Sequence, residues 1–185
     1  MTFRARTTER LTLRAIRPDD WPAFHRYMSD PEVTAWLPEG LMDEEMARAW
    51  VDRSARDDAP AVAVLTRDPE AFIGHMVFHP WAGSHTYEIG WVFGRAHQGW
   101  GYATEAAAAL LAHAFETLGC HRVIATCQPE NTASWRVMEK LRMRREGLLL
   151  QCIPREGGEW WDEYLYAILA DEYRGAASSQ GPAKS

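Results

Sequence analysis

Hydrophobic and polar positions change period several times along the chain, and each change predicts a new element. Residues 10–16, RLTLRAI, alternate, with Leu11, Leu13 and Ala15 on one face, which predicts a strand. Pro18-Asp19-Asp20 then supplies a turn and a helix N-cap, and Trp21, Phe24, Tyr27 and Met28 recur at helical spacing. Asp30-Pro31 breaks that helix, and Asp43 caps a second one that runs through Trp50 and Val51. Residues 61–66, 71–78 and 86–93 read as three strands. Turns at Asp68-Pro69 and over Trp81 to Ser84 join them into an antiparallel meander. Gly74 and Gly90 fall inside these strand patterns, where glycine marks a bulge or a close approach.

The second half changes period again. A helix is predicted from Tyr102 to Leu118, with Ala103, Ala107, Leu110, Leu111, Ala114 and Leu118 as its apolar face and Gly119 as its C-cap. Residues 122–128 form a strand that is parallel to a neighbour, because a helix precedes it. Asn131 or Thr132 caps a short helix through Leu141, and residues 146–153 and 160–168 make a final strand pair. The order β-α-α-β-β-β-α-β-α-β-β implies an α/β (α+β) fold, a mixed sheet with helices on both faces. A single domain is expected over 1–174, followed by a small, polar, disordered tail over 175–185.

Composition narrows the function. The 185 residues are 46% hydrophobic and 11% aromatic, enough for a sizeable core in one domain. Net charge is −6, so the chain lacks the positive field that attracts nucleic acid or anionic lipid, and neither is an expected partner. An acidic surface weakly favours cationic partners such as amines. The cysteines Cys120, Cys127 and Cys152 are odd in number and have no CxxC spacing, which fits a reducing cytoplasm and argues against a structural zinc site. The stretch MTFRARTTER carries no apolar h-region, so a secretory signal is not expected, and the longest apolar run, Ala106 to Ala112, is too short to span a bilayer.

One stretch carries chemistry. HQGWGYATEA (97–106) turns abruptly from glycine-rich to alanine-rich, at the point where a strand gives way to a helix. A helix N-terminus presents free amides and a positive dipole end, which suit phosphate, and glycine lets the backbone approach an anion closely. Ala103 is small yet keeps helix propensity, and Thr104 adds a hydroxyl to the first turn. Walker A spacing is absent. The dinucleotide fingerprint matches at Gly99 and Gly101 but has Thr104 in its third place. A third pattern, Q/R-x-x-G-x-G/A, is met by Gln98-Gly99-Trp100-Gly101-Tyr102-Ala103. The plain alternative is a tight turn entering a buried helix.

That third pattern is the coenzyme A loop of the GCN5-related N-acetyltransferases (GNAT). The chain resembles the RimJ/RimL-type branch of that family, the ribosomal-protein N-terminal acetyltransferases, from about Glu9 to Tyr173. The resemblance rests on ERLTLRAIRPDDWPAF, YEIGWVFGRAHQGWGYATEA, ENTASWRVMEKL and EWWDEYLYAIL. It implies a mostly antiparallel seven-stranded sheet and acetyl-CoA as co-substrate, with no metal. It also implies direct transfer to a primary amine, either a protein N-terminus or a small molecule. A homodimer through the C-terminal strands is common in such relatives.

The resemblance also implies site residues. The loop amides of Gln98, Gly99, Trp100, Gly101, Tyr102, Ala103 and Thr104 would cradle the diphosphate. Pantetheine would lie along unpaired backbone near Trp91 and Phe93, where two parallel strands splay, and an amide at or near Phe93 would face the acetyl carbonyl. Gly90 fits a strand that bulges there, or it only relieves crowding under Trp91. Glu88 is the candidate base, directly or through water; its plain alternative is a solvated or ion-paired glutamate.

Many family members place an acidic tyrosine where this chain has Met138, so Ser134 is the candidate acid, with Asn131 on the same helix face near the pantetheine. Helix capping explains the Asn131 stretch equally well. Two departures from the family are Arg142-Met143, which replaces a Gly-Phe and puts a left-handed cap in doubt, and Arg95, which replaces a proline. His75 and His79 share strand parity but lack a third metal ligand. Trp100 is expected exposed or stacked on cofactor, and Trp36, Trp81, Trp160 and Trp161 are candidates to rim the acceptor pocket. Two rival readings remain: a non-catalytic acyl-CoA-binding regulatory module, and a nucleotide-binding protein that uses the same turn.

Overall fold

Eight strands form one sheet in the computed structural model, which describes residues 3–56, 61–83 and 85–178. They are β1 (Arg6–Thr7), β2 (Leu11–Ala15), β3 (Ala61–Arg67), β4 (Glu70–Pro80), β5 (Thr86–Phe93), β6 (Arg122–Cys127), β7 (Arg144–Pro154) and β8 (Trp160–Leu169). Their spatial order is β1-β2-β3-β4-β5-β6-β8-β7. Every neighbouring pair is antiparallel except β5 with β6, the pair joined through a helix. The strand beyond the expected seven is β1, whose two residues are too few to show alternation. Ser84, expected in the β4–β5 turn, lies outside the described residues.

The helices are α1 (Trp21–Met28), α2 (Pro31–Thr34), α3 (Glu44–Ser54), α4 (Tyr102–Ala112), α5 (Thr132–Lys140) and α6 (Ala170–Ser178). The Asp30 side chain caps the single turn of α2 and Asp43 caps α3, each accepting from a backbone amide two or three residues on. After Ala112 the α4 helix continues as a π-helical turn, His113–Thr117, and ends at Gly119 with φ +64°. The α6 helix carries regular structure through Ser178, four residues into the segment expected as tail; residues 179–185 lie outside the described residues.

Both faces of the sheet are covered. On one face, α4 and α5 bury Ala107, Leu110, Leu111 and Met138 against Leu13, Val64, Met76, Ile89, Val123 and Ile168. On the other, Phe24, Met28, Ala47 and Val51 from α1 and α3 pack on Ala61, Ala63 and Leu65. Even-numbered residues of β5 therefore face α1 and α3, and odd-numbered ones face α4.

Of the two strand glycines expected to mark a bulge or a close approach, Gly74 does so and Gly90 does not. The bulge lies in β4, where Val64 pairs with Gly74 but Leu65 pairs with Phe72, leaving Ile73 as the extra residue. Pairing of β4 with β5 is regular from Gly74↔Phe93 to Pro80↔Tyr87, so Gly90 sits in an unbulged strand. A Cβ there would only touch Val77 at 3.6 Å.

Candidate functional site

Pairing of β5 with β6 covers Thr86↔Arg122, Tyr87↔Val123 and Glu88↔Ile124, then stops, although β5 runs on to Phe93 and β6 to Cys127. The two parallel strands separate beyond Glu88. Main-chain direction alternates along β5. The Thr86 carbonyl accepts from Trp81 at 2.9 Å, and the Gly94 amide donates to Ile73 at 3.0 Å, both on the β4 side. The His85 carbonyl instead accepts from His121 and Arg122 on the β6 side. By the same alternation the amides of Trp91 and Phe93 face the gap. The Phe93 carbonyl points that way too and accepts from Gln98 Nε2 at 2.9 Å.

The gap opens on the α4 face at the glycine turn. Gly99 and Gly101 have φ +78° and +82°, and Gly101 is the N-cap of α4. The first intrahelical bond runs from the Glu105 amide to the Gly101 carbonyl at 3.1 Å. The amides of Tyr102, Ala103 and Thr104 therefore have no helical acceptor. A Cβ at Gly99 would meet nothing within 4 Å, so that surface of the turn is open.

A cavity of about 920 Å³ joins these parts. On the α4 and α5 side it is lined by Gln98, Gly99, Gly101, Tyr102, Ala103 and Thr104, by Asn131 and Ser134, and by Arg136 and Lys140. On the opposite face it is lined by Glu88, His75, His79, Thr126 and Glu163, with Trp36, Trp81, Leu149 and Ile153 around them. Trp91 and Phe93 line the passage between. The one loop residue that turns away is Trp100, whose side chain is 65% exposed and outside the lining; only its carbonyl is held, by Arg10 Nη1 at 2.9 Å.

Glu88 stands on the α1 and α3 face, with its side chain 23% exposed. The Thr126 hydroxyl donates to its Oε1 at 3.3 Å, and His79 Nε2 lies 3.9 Å from Oε2. Ser134 is on the other face. Asn131 Oδ1 accepts from the Ser134 amide at 3.2 Å, so Asn131 caps α5 and faces the cavity at once. Burial pushes the Cys127 thiol up to about 12, although the nearby Ser134 hydroxyl favours its ionised form, so Cys127 is a neutral cavity wall and not a nucleophile.

His75 is buried among aromatic rings, and its Nδ1 lies 2.7 Å from the Tyr27 hydroxyl. Burial lowers its pKa to about 3. Met138 is fully buried in the core, away from the gap. Trp161 lies 6.3 Å from Trp36 between ring centroids, and the Arg155 guanidinium sits 3.6 Å above Trp161. Arg155 also donates to the Leu37 carbonyl at 2.8 Å, tying the β7–β8 hairpin to the segment after α2. Trp160 is exposed outside the lining, and Arg95 pairs with Glu32 at 2.6 Å.

Cavity residues that the sequence reading passed over are Arg136, Lys140, Thr126 and Glu163. Arg136 and Lys140 follow Ala133 at helical spacing and share one stripe of α5, a signal available in the sequence. Thr126 and Glu163 meet only through the pairing of β6 with β8, which no local pattern encodes.

The family model described as an acetyltransferase (GNAT) domain matches residues 10–144. An uncharacterized N-acetyltransferase of Bacillus subtilis (strain 168), YnaD, is 51% identical over 167 residues, which is 90% of this chain and 98% of that protein. The crystal structure of a GNAT-family acetyltransferase from Bacillus anthracis superposes with a TM-score of 0.87 at 48% identity, covering 91% of this chain and all of that one. Mycobacterium smegmatis RimJ in complex with CoA-disulfide superposes with a TM-score of 0.74 at 27% identity, over 92% of this chain and 90% of that one. Glycine turn, separated parallel strands and these similarities lead to one conclusion: the chain belongs to the GNAT family of N-acetyltransferases.

Proposed function

We propose that the chain transfers an acetyl group directly from acetyl-CoA to a primary amine, a small molecule or a protein N-terminus, without a covalent enzyme intermediate. One relationship carries this reading. The gap between β5 and β6 connects the glycine turn on one face of the sheet to Glu88 on the other. A donor and an acceptor can thus approach from opposite faces and meet inside the sheet.

Coenzyme A supplies an activated thioester. The chain's own residues do the rest. The turn from Gln98 to Thr104 holds the diphosphate with amides, and Gln98 acts by pinning the Phe93 carbonyl. Main chain at Trp91 and Phe93 binds pantetheine as an added strand, and the Phe93 amide stabilises negative charge developing on the acetyl oxygen. Asn131 lines the pantetheine side. Glu88 takes a proton from the acceptor ammonium, and Ser134 donates a hydrogen bond to the leaving thiolate. Tryptophan and aliphatic side chains around Glu88 favour an amine with an apolar body. No metal is required. We place the reaction in the cytoplasm, where the three free thiols stay reduced. Pairing of two copies along the edge strand β7 is the assembly to seek by light scattering.

A panel of primary amines, assayed by thiol release from acetyl-CoA, tests the reading. Turnover on at least one amine is expected, with Glu88→Gln lowering kcat by about 10²-fold and Ser134→Ala by about tenfold. Binding of acetyl-CoA without thiol release from any amine would instead favour a regulatory acyl-CoA-binding module.

A further inference from the structure

Glu163 on β8 faces the same mouth of the cavity as Glu88. Thr126 pairs with Leu165, and Cys127 with Tyr164, so Thr126, Leu165 and Glu163 share one face of the sheet. That face carries Glu88, because the Thr126 hydroxyl donates to Glu88 at 3.3 Å. Glu163 is close enough to feel both the Thr126 hydroxyl, which favours its ionised form, and the Glu88 charge, which opposes it. Two carboxylates from strands on either side of β6 thus flank one hydroxyl at the edge of the gap. The arginine and lysine that line the cavity among the described residues, Arg136 and Lys140, sit on α5 at the other mouth. The titratable groups near the pair are His79 on β4, 3.9 Å from Glu88, the Cys152 thiol on β7, 3.9 Å from Glu163, and the neutral Cys127 thiol on β6.

We propose that Glu163 works with Glu88 as a two-carboxylate base that receives the acceptor ammonium and takes its first proton. This rests on reading the cavity as an acetyl-transfer site. The acceptor enters as R–NH3⁺. One N–H bond breaks, its electron pair stays on nitrogen, and the proton passes to the carboxylate pair. The amine nitrogen then bonds to the thioester carbonyl carbon, and the C–S bond breaks with its electron pair on sulfur. A second proton leaves nitrogen and ends on that sulfur, giving the amide and the coenzyme A thiol. Neither an oxidant nor a further reactant is needed.

Pairing serves the chemistry. Two like charges on either side of one hydroxyl do not ionise independently, and each carboxylate favours protonation of its neighbour, which suits a pair that must accept one proton. Burial, followed by the charge of Glu88, does push the Glu163 carboxyl above the usual range. The closing carboxylate comes from the C-terminal hairpin, so the base is completed only when β8 is in register with β6.

The test is the pH profile of kcat/KM, measured with an amine that the wild-type protein acetylates. Glu163→Gln removes the neighbouring charge. The acidic limb should therefore move down by about half to one pH unit, and kcat/KM at pH 7 should fall about tenfold. Glu163→Asp should restore most of both. Thr126→Val, which removes the bridging donor, should move the limb up by about half a unit and gives an independent reading if Glu163→Gln folds poorly. Limbs that coincide with wild type in the variants that fold overturn the proposal while leaving acetyl transfer intact. A wild-type protein inactive on every amine overturns acetyl transfer itself, and this inference with it.

Discussion

Arg10 donates through Nε to Glu105 Oε2 at 2.7 Å, while its Nη1 reaches the Trp100 carbonyl at 2.9 Å. One guanidinium thus joins the start of β2 to both the glycine turn and the first turn of α4. The Glu105 carboxylate also accepts from the Arg10 amide at 2.9 Å and the Thr8 hydroxyl at 2.5 Å. Burial raises the Glu105 pKa, but bonds from Thr8 and Arg10 and the Arg10 charge outweigh it and hold the carboxyl below its usual range. The brace fixes the turn before any ligand arrives, which lowers the ordering cost of binding. Arg10→Ala should weaken acetyl-CoA binding by roughly tenfold, about 1.4 kcal/mol, and change the acceptor KM by less than about twofold. Calorimetric titration of acetyl-CoA, set beside acceptor kinetics, decides it; unchanged cofactor affinity would refute the brace.

Gly74 pairs with Phe93, at the end of β5 that faces the gap. A Cβ at this position would stand 2.8 Å from a Phe93 ring carbon and nearer still to the Val92 carbonyl oxygen. Both belong to the strand that faces the gap, so relief of the clash must displace β5. Gly74→Ala should cost about 2–4 kcal/mol and lower the melting temperature by on the order of 10 °C. Gly90→Ala meets only an ordinary contact with Val77, so its stability should change by less than about 1 kcal/mol. Paired melting curves test the contrast, and equal losses at the two glycines would contradict it.

The end of α5 bears on the doubt raised by the missing glycine. Arg142 takes φ +61° itself, with its amide bonded to Glu139 at 2.9 Å and the Met143 amide to Met138 at 3.0 Å. This is the Schellman pattern of a left-handed cap, and the buried Met138 and Met143 supply its apolar contact. Core burial on both sides of the turn outweighs the local preference of arginine. Arg142→Gly removes that strain and should raise stability by about 1 kcal/mol, or about 2–4 °C in melting temperature, with activity unchanged. A fall in stability would mean that the arginine side chain contributes more than its backbone costs.

What the sequence revealed was local in origin. Alternation over 86–93, the glycine turn and the alanine-rich helix lie next to one another in the chain, so their periods mark β5, the turn and α4 directly. The helix before Arg122 was enough to make β6 parallel. Termination of pairing at Glu88↔Ile124 is a relation between residues 36 apart, and no periodicity records it. The same holds for Glu163, whose odd-numbered parity on β8 is legible but whose proximity to Thr126 is set by register with β6. Gly74 and Gly90 look alike in sequence, yet only Gly74 sits against a neighbouring backbone. The His75 and His79 parity was legible, whereas the ring cage that dehydrates His75 comes from α1 and α3.

That cage makes His75 a source of acid sensitivity. Phe24, Tyr27 and Trp50 surround the imidazole, and burial lowers its pKa from about 6.5 to about 3. The unfolded chain binds a proton on His75 below about pH 6.5, and the folded protein does not until about pH 3. The unfolded state therefore holds more protons in that window, so stability falls as pH drops through it and is fully present above about pH 6.5. One such proton changes stability by at most about 1.4 kcal/mol per pH unit. His113, lowered by burial and by the Arg6 charge, acts in the same direction. Carboxyls held low, such as Glu105 and Glu146, lose their contributions only near and below their ordinary range, and Glu163, held high, acts against the histidines, so it is the difference between wild type and a histidine variant over about pH 5 to 6.5 that isolates the histidine. Urea midpoints across that interval should drop for wild type and drop less steeply for His75→Gln, while His113→Gln removes a smaller share. Parallel wild-type and His75→Gln curves would show that His75 takes up its proton without unfolding the cage.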